Sequence, residues 1–537
     1  MARRHQRSFR EGKERPLQRT DGFVLPVKLG NASGGKEPCS EAKAQSSDSP
    51  RRLTKSLQTP EQVVEKLQRT LHAKAKAEPS YRFYSLWDKV CRKEVLQVAY
   101  AQCRRNGGAA GVDRESFSDI ENQGVNRWLG NLQKELVAKT YRPKPLLRVW
   151  IPKNNGGQRA LGIPAIFDRV VQTAVLLVLG PIFEADLVPQ QYGFRPQLDA
   201  KMAVRRVYYH LKEGKTEVLD GDVRDYFNQI PHGPLCKSLC RRIADGTVLK
   251  TIAAWLDNAV IERKDRREVR TTEARDRHRG SPQGSPISPL LSNIYFRRFA
   301  LAFMCSEVAH QTEARLVNYA DDLVICCRPG NGAAVMNKTR ELMSRLGLEL
   351  HEGKSRLASL PNERFDFLGY TFGQYYGKHG KPYIGTALSK KSVSRVVGKI
   401  ADETSRRWLL DSPQWRVKEL NRILRGWCGY FDQGPVYDAQ KIVRNYTERR
   451  LRRWLMMKHK RRGTGYRQYS DEYLYGTLGL YQPPATDSAC PKRKHEASEE
   501  SWVREIRTPS CASSEGWRVR WEAERQAHQG KSQEPCS

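Results

Sequence analysis

Residues 316–327 read "LVNYADDLVICC". Two short apolar runs flank a pair of adjacent acids, Asp321 and Asp322, and the apolar positions have no helical spacing. This pattern predicts a strand–turn–strand hairpin with the acids at or near its turn. Side-by-side carboxylates in a half-buried place repel one another. A structural pair would recruit Arg or Lys, yet the immediate neighbours are Leu, Val and Ala. A divalent cation removes the repulsion directly, and Mg2+ takes carboxylate oxygens while keeping water and phosphate as its other ligands. The tetrapeptide alone does not decide the matter, because a loop with two solvated acids has the same sequence.

A second acidic segment shifts the balance toward the metal. "TEVLDGDVRDYFNQIPH", residues 216–232, contains Asp220, Asp222 and Asp225. In a strand, Asp220 and Asp222 point to one face. A carboxylate from this strand facing the hairpin acids makes a site for two metal ions. Such a site holds a nucleotide's phosphates on one ion. It activates a primer 3′-hydroxyl on the other, for in-line displacement of pyrophosphate.

Composition points to a polyanionic partner. The chain has 537 residues and a formal net charge of +35, with the basic excess spread along its length. Solubility does not need such an excess, and nucleic acid is its usual partner. The 12 cysteines include no C-x-x-C pair; Cys236 and Cys240 are separated by three residues and Cys326 and Cys327 are adjacent, so they read as reduced thiols in a cytosolic protein. The longest apolar run, "AVLLVLG" at 174–180, is too short for a bilayer, and the basic N-terminus lacks the apolar stretch of a secretory signal.

Along the chain, residues 1–55 read as a poorly ordered basic arm. Helical periodicity begins at Glu61, and from about 146 to 372 strand-like runs alternate with helices, an α/β or α+β pattern. After about residue 385 the strands stop. Leu420, Ile423, Leu424 and Trp427 then mark one face of an amphipathic helix, with Arg422 and Arg425 off that face. A second basic helix follows, and residues 481–537 form a basic tail without a clear fold signal.

The order of motifs resembles the reverse transcriptase/maturases encoded by bacterial group II introns. The pieces are "NGGAAGVD", "VWIPKNNGGQRALGIPAIFDRVVQ", "QYGFRP", "DGDVRDYFNQIPH", "GSPQGSPISPLLSNIYF", "NYADD", "GKSRL", "FDFLGYTF" and "LNRILRGWCGYF". The resemblance covers about residues 60–480. It implies a right-hand polymerase, with fingers and palm over 56–372 and an α-helical thumb or maturase domain over 373–480. It implies RNA-directed DNA synthesis with two Mg2+ ions, and binding of the intron RNA to assist its splicing and mobility. Its partners would be that RNA, an RNA template with a DNA primer, dNTPs and a DNA target, with no membrane. It leaves homodimerisation open, and the place of action would be the bacterial cytoplasm and nucleoid.

Residue by residue, the resemblance gives Asp222, Asp321 and Asp322 the catalytic and metal-binding roles, with Val223 lending its carbonyl. Asp225 and Asn228 depart from the family's usual residues. Phe227 becomes the bulky gate under the incoming sugar, excluding a 2′-hydroxyl. Lys153 and Arg159 grip the triphosphate, Gln283 contacts the nucleotide, and Lys354 lies near the primer or the site. Arg422, Arg425, Arg444, Arg449, Arg450, Arg452 and Arg453 line an RNA groove. The tail lacks the paired cysteines and histidines of the endonuclease found in many relatives, so no second-strand nuclease is expected. Two other readings stay open: a maturase that only folds RNA, and a domesticated reverse transcriptase in repair or phage defence.

Overall fold

The computed structural model describes residues 58–152, 157–264, 267–377 and 379–483. The basic arm, most of the tail and Lys153 lie outside these residues.

Among the described residues, three sheets organise the fold. β1 (Leu146–Pro152), β2 (Gln158–Ile163), β4 (Val260–Lys264) and β5 (Arg267–Thr271) form one, in the order β2-β1-β4-β5. β3 (Glu217–Asp222), β6 (Arg315–Tyr319), β7 (Asp322–Cys327) and β8 (Arg356–Ser359) form the second, in the order β6-β7-β3-β8. β9 (Phe365–Phe367), β10 (Tyr370–Tyr376) and β11 (Pro382–Leu388) form the third. The hairpin expected at 316–327 is present as β6 and β7, and the acidic segment at 216–232 contributes β3. The boundary expected at 372–373 falls inside β10.

The second sheet is covered on both faces. Leu219, Leu323, Ile325 and Cys327 enter one core, with helices Ser288–Met304 and Gly332–Arg345. Val218, Val324, Cys326 and Ala358 enter a second core, with helix Ala200–Lys212 and the C-terminal helices. Alternate residues of one strand thus serve different cores. A strand buried on both faces reads as a continuous apolar run, which explains "LVICC".

Helix Ile166–Glu184 is apolar all round and is the central helix of the first core. It is long and apolar enough to cross a bilayer, so "AVLLVLG" is part of a longer stretch than the sequence suggested. Burial of 89% of its apolar window inside the protein makes it a core helix.

C-terminal to β11, helices Lys390–Glu403, Pro413–Tyr430 and Tyr437–Lys458 pack together. Leu420, Leu424 and Trp427 are buried and Ile423 partly so, as the helical spacing required. Lys201 ties this layer to the second sheet's cover through Asp432, 2.7 Å away.

Candidate active site

The acids converge through backbone register. Asp222 ends β3, Asp322 begins β7, and the two are directly opposed in the antiparallel ladder. Asp321 sits in the two-residue turn joining β6 to β7. Ala320, the other turn residue, has a φ of 59°. A left-handed conformation costs a non-glycine residue about 1–2 kcal/mol. Opposed residues on antiparallel strands have their Cβ atoms about 5 Å apart, and like charges there are destabilising. The sheet end therefore concentrates negative charge on the face that, further in, carries Val218 and Val324.

The electrostatics record the repulsion. The Asp322 carboxyl is pushed up to about 7, first by its withdrawal from water among protein atoms, then by Asp321, Asp222 and Asp220; Lys354 pulls the other way. The residue still presents exposed surface, so the repulsion among the acids is the cause a cation would relieve. Asp220 is raised to about 6 by burial; Arg356, 3.6 Å away, opposes the shift, and Asp366 and Asp222 add to it. Asp222 leans on Lys354, with Nζ at 3.1 Å from Oδ2. Its amide N–H donates to Ser355 Oγ at 3.1 Å, and its carbonyl accepts from His351 N–H at 2.8 Å. Val223 is buried and bridged to Leu350.

Among the described residues, no three His, Cys, Asp or Glu side chains are gathered tightly enough to hold an ion as they stand. The donor set nevertheless suits one. Three carboxylates at one sheet end are the hard oxygen ligands that Mg2+ takes, and Asp222 already attracts the nearest ammonium group.

The surroundings bring the nucleotide candidates together in part. Phe227 lies on the helical turn Tyr226–Gln229, half-buried, with the Phe194 ring edge-on at 6.4 Å. Its carbonyl accepts from Ser281 N–H at 2.7 Å, which pins the "SPQG" loop to the same turn. The Gln283 carbonyl accepts from Gly162 N–H of β2 at 2.8 Å, joining that loop to the first sheet. Gly284, with φ 110°, is required here: a Cβ would stand 2.8 Å from the Gly162 oxygen. Arg159 is exposed on β2 opposite Ile151. Among the described residues, no hydrogen bond or ion pair joins Arg159 or the Gln283 side chain to the acids. Lys354 is the member of this group in contact with one.

The arginines divide. Arg422, Arg425, Arg449 and Arg453 are exposed. Arg452 corrects the expectation of an RNA-facing side chain: it is 1% exposed, bonded to the Tyr469 carbonyl and the Asp471 carboxylate and close to Glu448. Arg450 donates to the Ala401 carbonyl and Thr404 Oγ1 at the end of helix Lys390–Glu403, and Arg444 pairs with Glu448 at 2.9 Å. A dense basic run on a helix points some of its members inward, and sequence density alone does not separate them.

The sequence assigns no role to Asn318, Ser355 or Arg356, and "YGFRP" at 192–196 suggests a template path rather than Gly193's contact with the acid-bearing turn. These roles depend on contacts across the fold.

Residues 151–372 match the family "Reverse transcriptase (RNA-dependent DNA polymerase)", and residues 393–472 match "Group II intron, maturase-specific domain". The chain is 30% identical over 408 residues to protein YkfC of Escherichia coli K12, covering 68% of this chain and 100% of that protein. It is 28% identical over 216 residues to the group II intron-encoded protein LtrA of Lactococcus lactis, covering 40% of this chain and 34% of LtrA. Among solved structures it is similar to a chain of a partial Cas6–RT–Cas1–Cas2 complex at 20% identity, with a TM-score of 0.29 and coverage of 45% of this chain and 38% of that one.

Proposed function

Since the chain belongs to the group II intron reverse transcriptase/maturase family, we propose that it copies RNA into DNA from a primer's 3′ end and binds intron RNA to assist splicing and mobility. The observation that carries this reading is the register of Asp222 opposite Asp322, with Asp321 in the adjoining turn.

Asp222, Asp321 and Asp322, with the Val223 carbonyl, would hold two Mg2+ ions. The ions supply Lewis-acid neutralisation of phosphate charge and make the primer 3′-hydroxyl a better nucleophile. The chain's own residues do the rest. Phe227, backed by Phe194, excludes a ribose 2′-hydroxyl and so selects dNTPs. Arg159 and Lys153 bring positive charge to the triphosphate, where negative charge builds on the leaving pyrophosphate. The Gln283 loop, tied to both β2 and the Phe227 turn, keeps the nucleotide pocket's two walls in a fixed relation. Lys354 supplies the positive charge beside Asp222 that a bound cation would otherwise bring.

In polymerase terms, the sheet β2-β1-β4-β5 with its helices forms the fingers, the acid-bearing sheet the palm, and the helices after β11 the thumb. Exposed Arg422, Arg425, Arg449 and Arg453 on the thumb face RNA phosphates, giving affinity without base readout. The partners in this reading are intron RNA, an RNA template with a DNA primer, and a DNA target, met in the cytoplasm.

Primer extension on an RNA template with dNTPs and Mg2+ tests the synthetic half. Splicing of the flanking intron RNA with and without the protein tests the other; equal rates at physiological Mg2+ would remove it.

A further inference from the structure

Behind the acid-bearing turn lie three buried side-chain amides that the chemistry above does not use. Asn318, the penultimate residue of β6, is 0% exposed. Its Nδ2 donates to the carbonyl oxygens of Ala320 at 2.9 Å and Asp322 at 3.1 Å. One side chain thus spans the turn that carries both acids. Its own backbone is held by a neighbouring run: its N–H donates to the Gln190 carbonyl, and its carbonyl accepts from Tyr192 N–H, each at 2.8 Å.

The other two amides brace that run. Gln191 Nε2 donates to the Asn293 carbonyl at 2.9 Å, and Asn293 Nδ2 donates to the Gly193 carbonyl at 2.8 Å. Both side chains are buried. Gly193 closes the circuit, because a Cβ there would stand 2.3 Å from Ala320 N. Two oxygens of this cluster, Gln191 Oε1 and Asn318 Oδ1, are buried without a hydrogen-bond partner. Such atoms cost stability, and an apolar side chain would fill the space without that cost. Ala320 meanwhile keeps a left-handed backbone, which a non-glycine residue holds only when its surroundings impose it.

We propose that Asn318 is a positioning residue for the metal-binding acids. By tying the Ala320 and Asp322 carbonyls into one frame, it imposes the left-handed turn that sets Asp321 and Asp322 against Asp222. Asp321 and Asp322 follow Ala320 directly in the chain, so a small rotation at Ala320 moves both relative to Asp222. The inference rests on the polymerase reading of this site.

The test uses the full chain with Asn318→Ala, which removes both donors, and Asn318→Ser, which keeps one. Mn2+ is the probe, its binding followed by loss of the free-ion EPR signal. Loss of a group that orients a metal ligand typically weakens metal binding about 10- to 100-fold. Asn318→Ala is expected in that range and Asn318→Ser between it and wild type. Melting temperatures in EDTA are measured alongside, and metal affinities are compared at temperatures where each variant is folded. In primer extension, the Mg2+ concentration for half-maximal rate rises in parallel, while the dNTP KM at saturating metal does not change. A purely structural role would lower the amount of folded protein and leave the metal affinity of the folded fraction alone. Wild-type Mn2+ affinity in either folded variant overturns the proposal, and Asn318→Ser carries the test if Asn318→Ala does not fold. If wild-type protein neither extends a primer nor loses Mn2+ binding on Asp222→Asn, the polymerase reading itself has failed.

Discussion

Asp222 and Asp322 face each other across two strands, and that one pairing explains the sequence's oddest feature: adjacent acids in an apolar hairpin. The acids were legible because their spacing and apolar flanks leave few other uses for them. Asn318 was not, because a polar residue near a strand end is ordinary until its side chain is seen reaching two carbonyls. Two predictions belong to single residues. Phe227→Ala opens the space beside Phe194, and incorporation of ribonucleotides relative to deoxyribonucleotides is expected to rise on the order of 100-fold in single-nucleotide extension, since steric discrimination of one small group is of this order. An unchanged ratio would make Phe227 a packing residue only. Gly284→Ala forces a Cβ against the Gly162 oxygen at a backbone angle that alanine avoids, and is expected to destabilise the protein by about 2 kcal/mol in urea unfolding.

At the scale of elements, helix Tyr437–Lys458 separates two jobs that its sequence runs together. Arg452 holds Asp471 and Glu448 from inside, whereas the adjacent Arg453 is exposed. Arg452→Ala empties a buried site and takes the donor from the Tyr469 carbonyl, and is expected to cost about 3 kcal/mol in denaturant unfolding. Arg453→Ala is expected to leave stability unchanged, weaken RNA binding evenly across sequences, and reduce the salt slope by about 1. The reverse pattern would exchange their roles. Helix Ala200–Lys212 gives a pH signature. Burial lowers His210 to about 4, with Glu213 opposing the shift and Arg206 and Lys215 adding to it. The unfolded chain therefore binds this proton more readily than the folded one. Stability is full above about pH 6.5 and falls as pH drops toward 4, by up to about 3 kcal/mol from this group. His210→Gln is expected to flatten that part of the stability–pH curve; an unaltered curve would assign the acid sensitivity elsewhere.

At the scale of the whole molecule, the fold was legible wherever burial leaves a periodic or continuous apolar pattern. β3, β6 and β7 were such places, as was the amphipathic face of Pro413–Tyr430. The β4–β5 hairpin was not, because its exposed run "ERK…REVR" has no apolar alternation and its place comes from parallel pairing of β4 with β1. The edge of the helical layer was also obscured, since β10 and β11 pair across the expected boundary. A net charge of +35 makes RNA affinity expected to fall steeply with salt, by a factor on the order of 1,000 between 50 and 200 mM if at least six phosphates are contacted. A shallow slope would mean the basic excess is spent elsewhere. The central claim is that the opposed aspartates make this chain an RNA-directed DNA polymerase. Primer extension on an RNA template with dNTPs and Mg2+ tests it, comparing wild type with Asp222→Asn and with the Asp321→Asn/Asp322→Asn double variant. Extension by wild type alone is the expected result. Extension by the variants would contradict the site, and failure of wild type while it binds intron RNA tightly would contradict the polymerase.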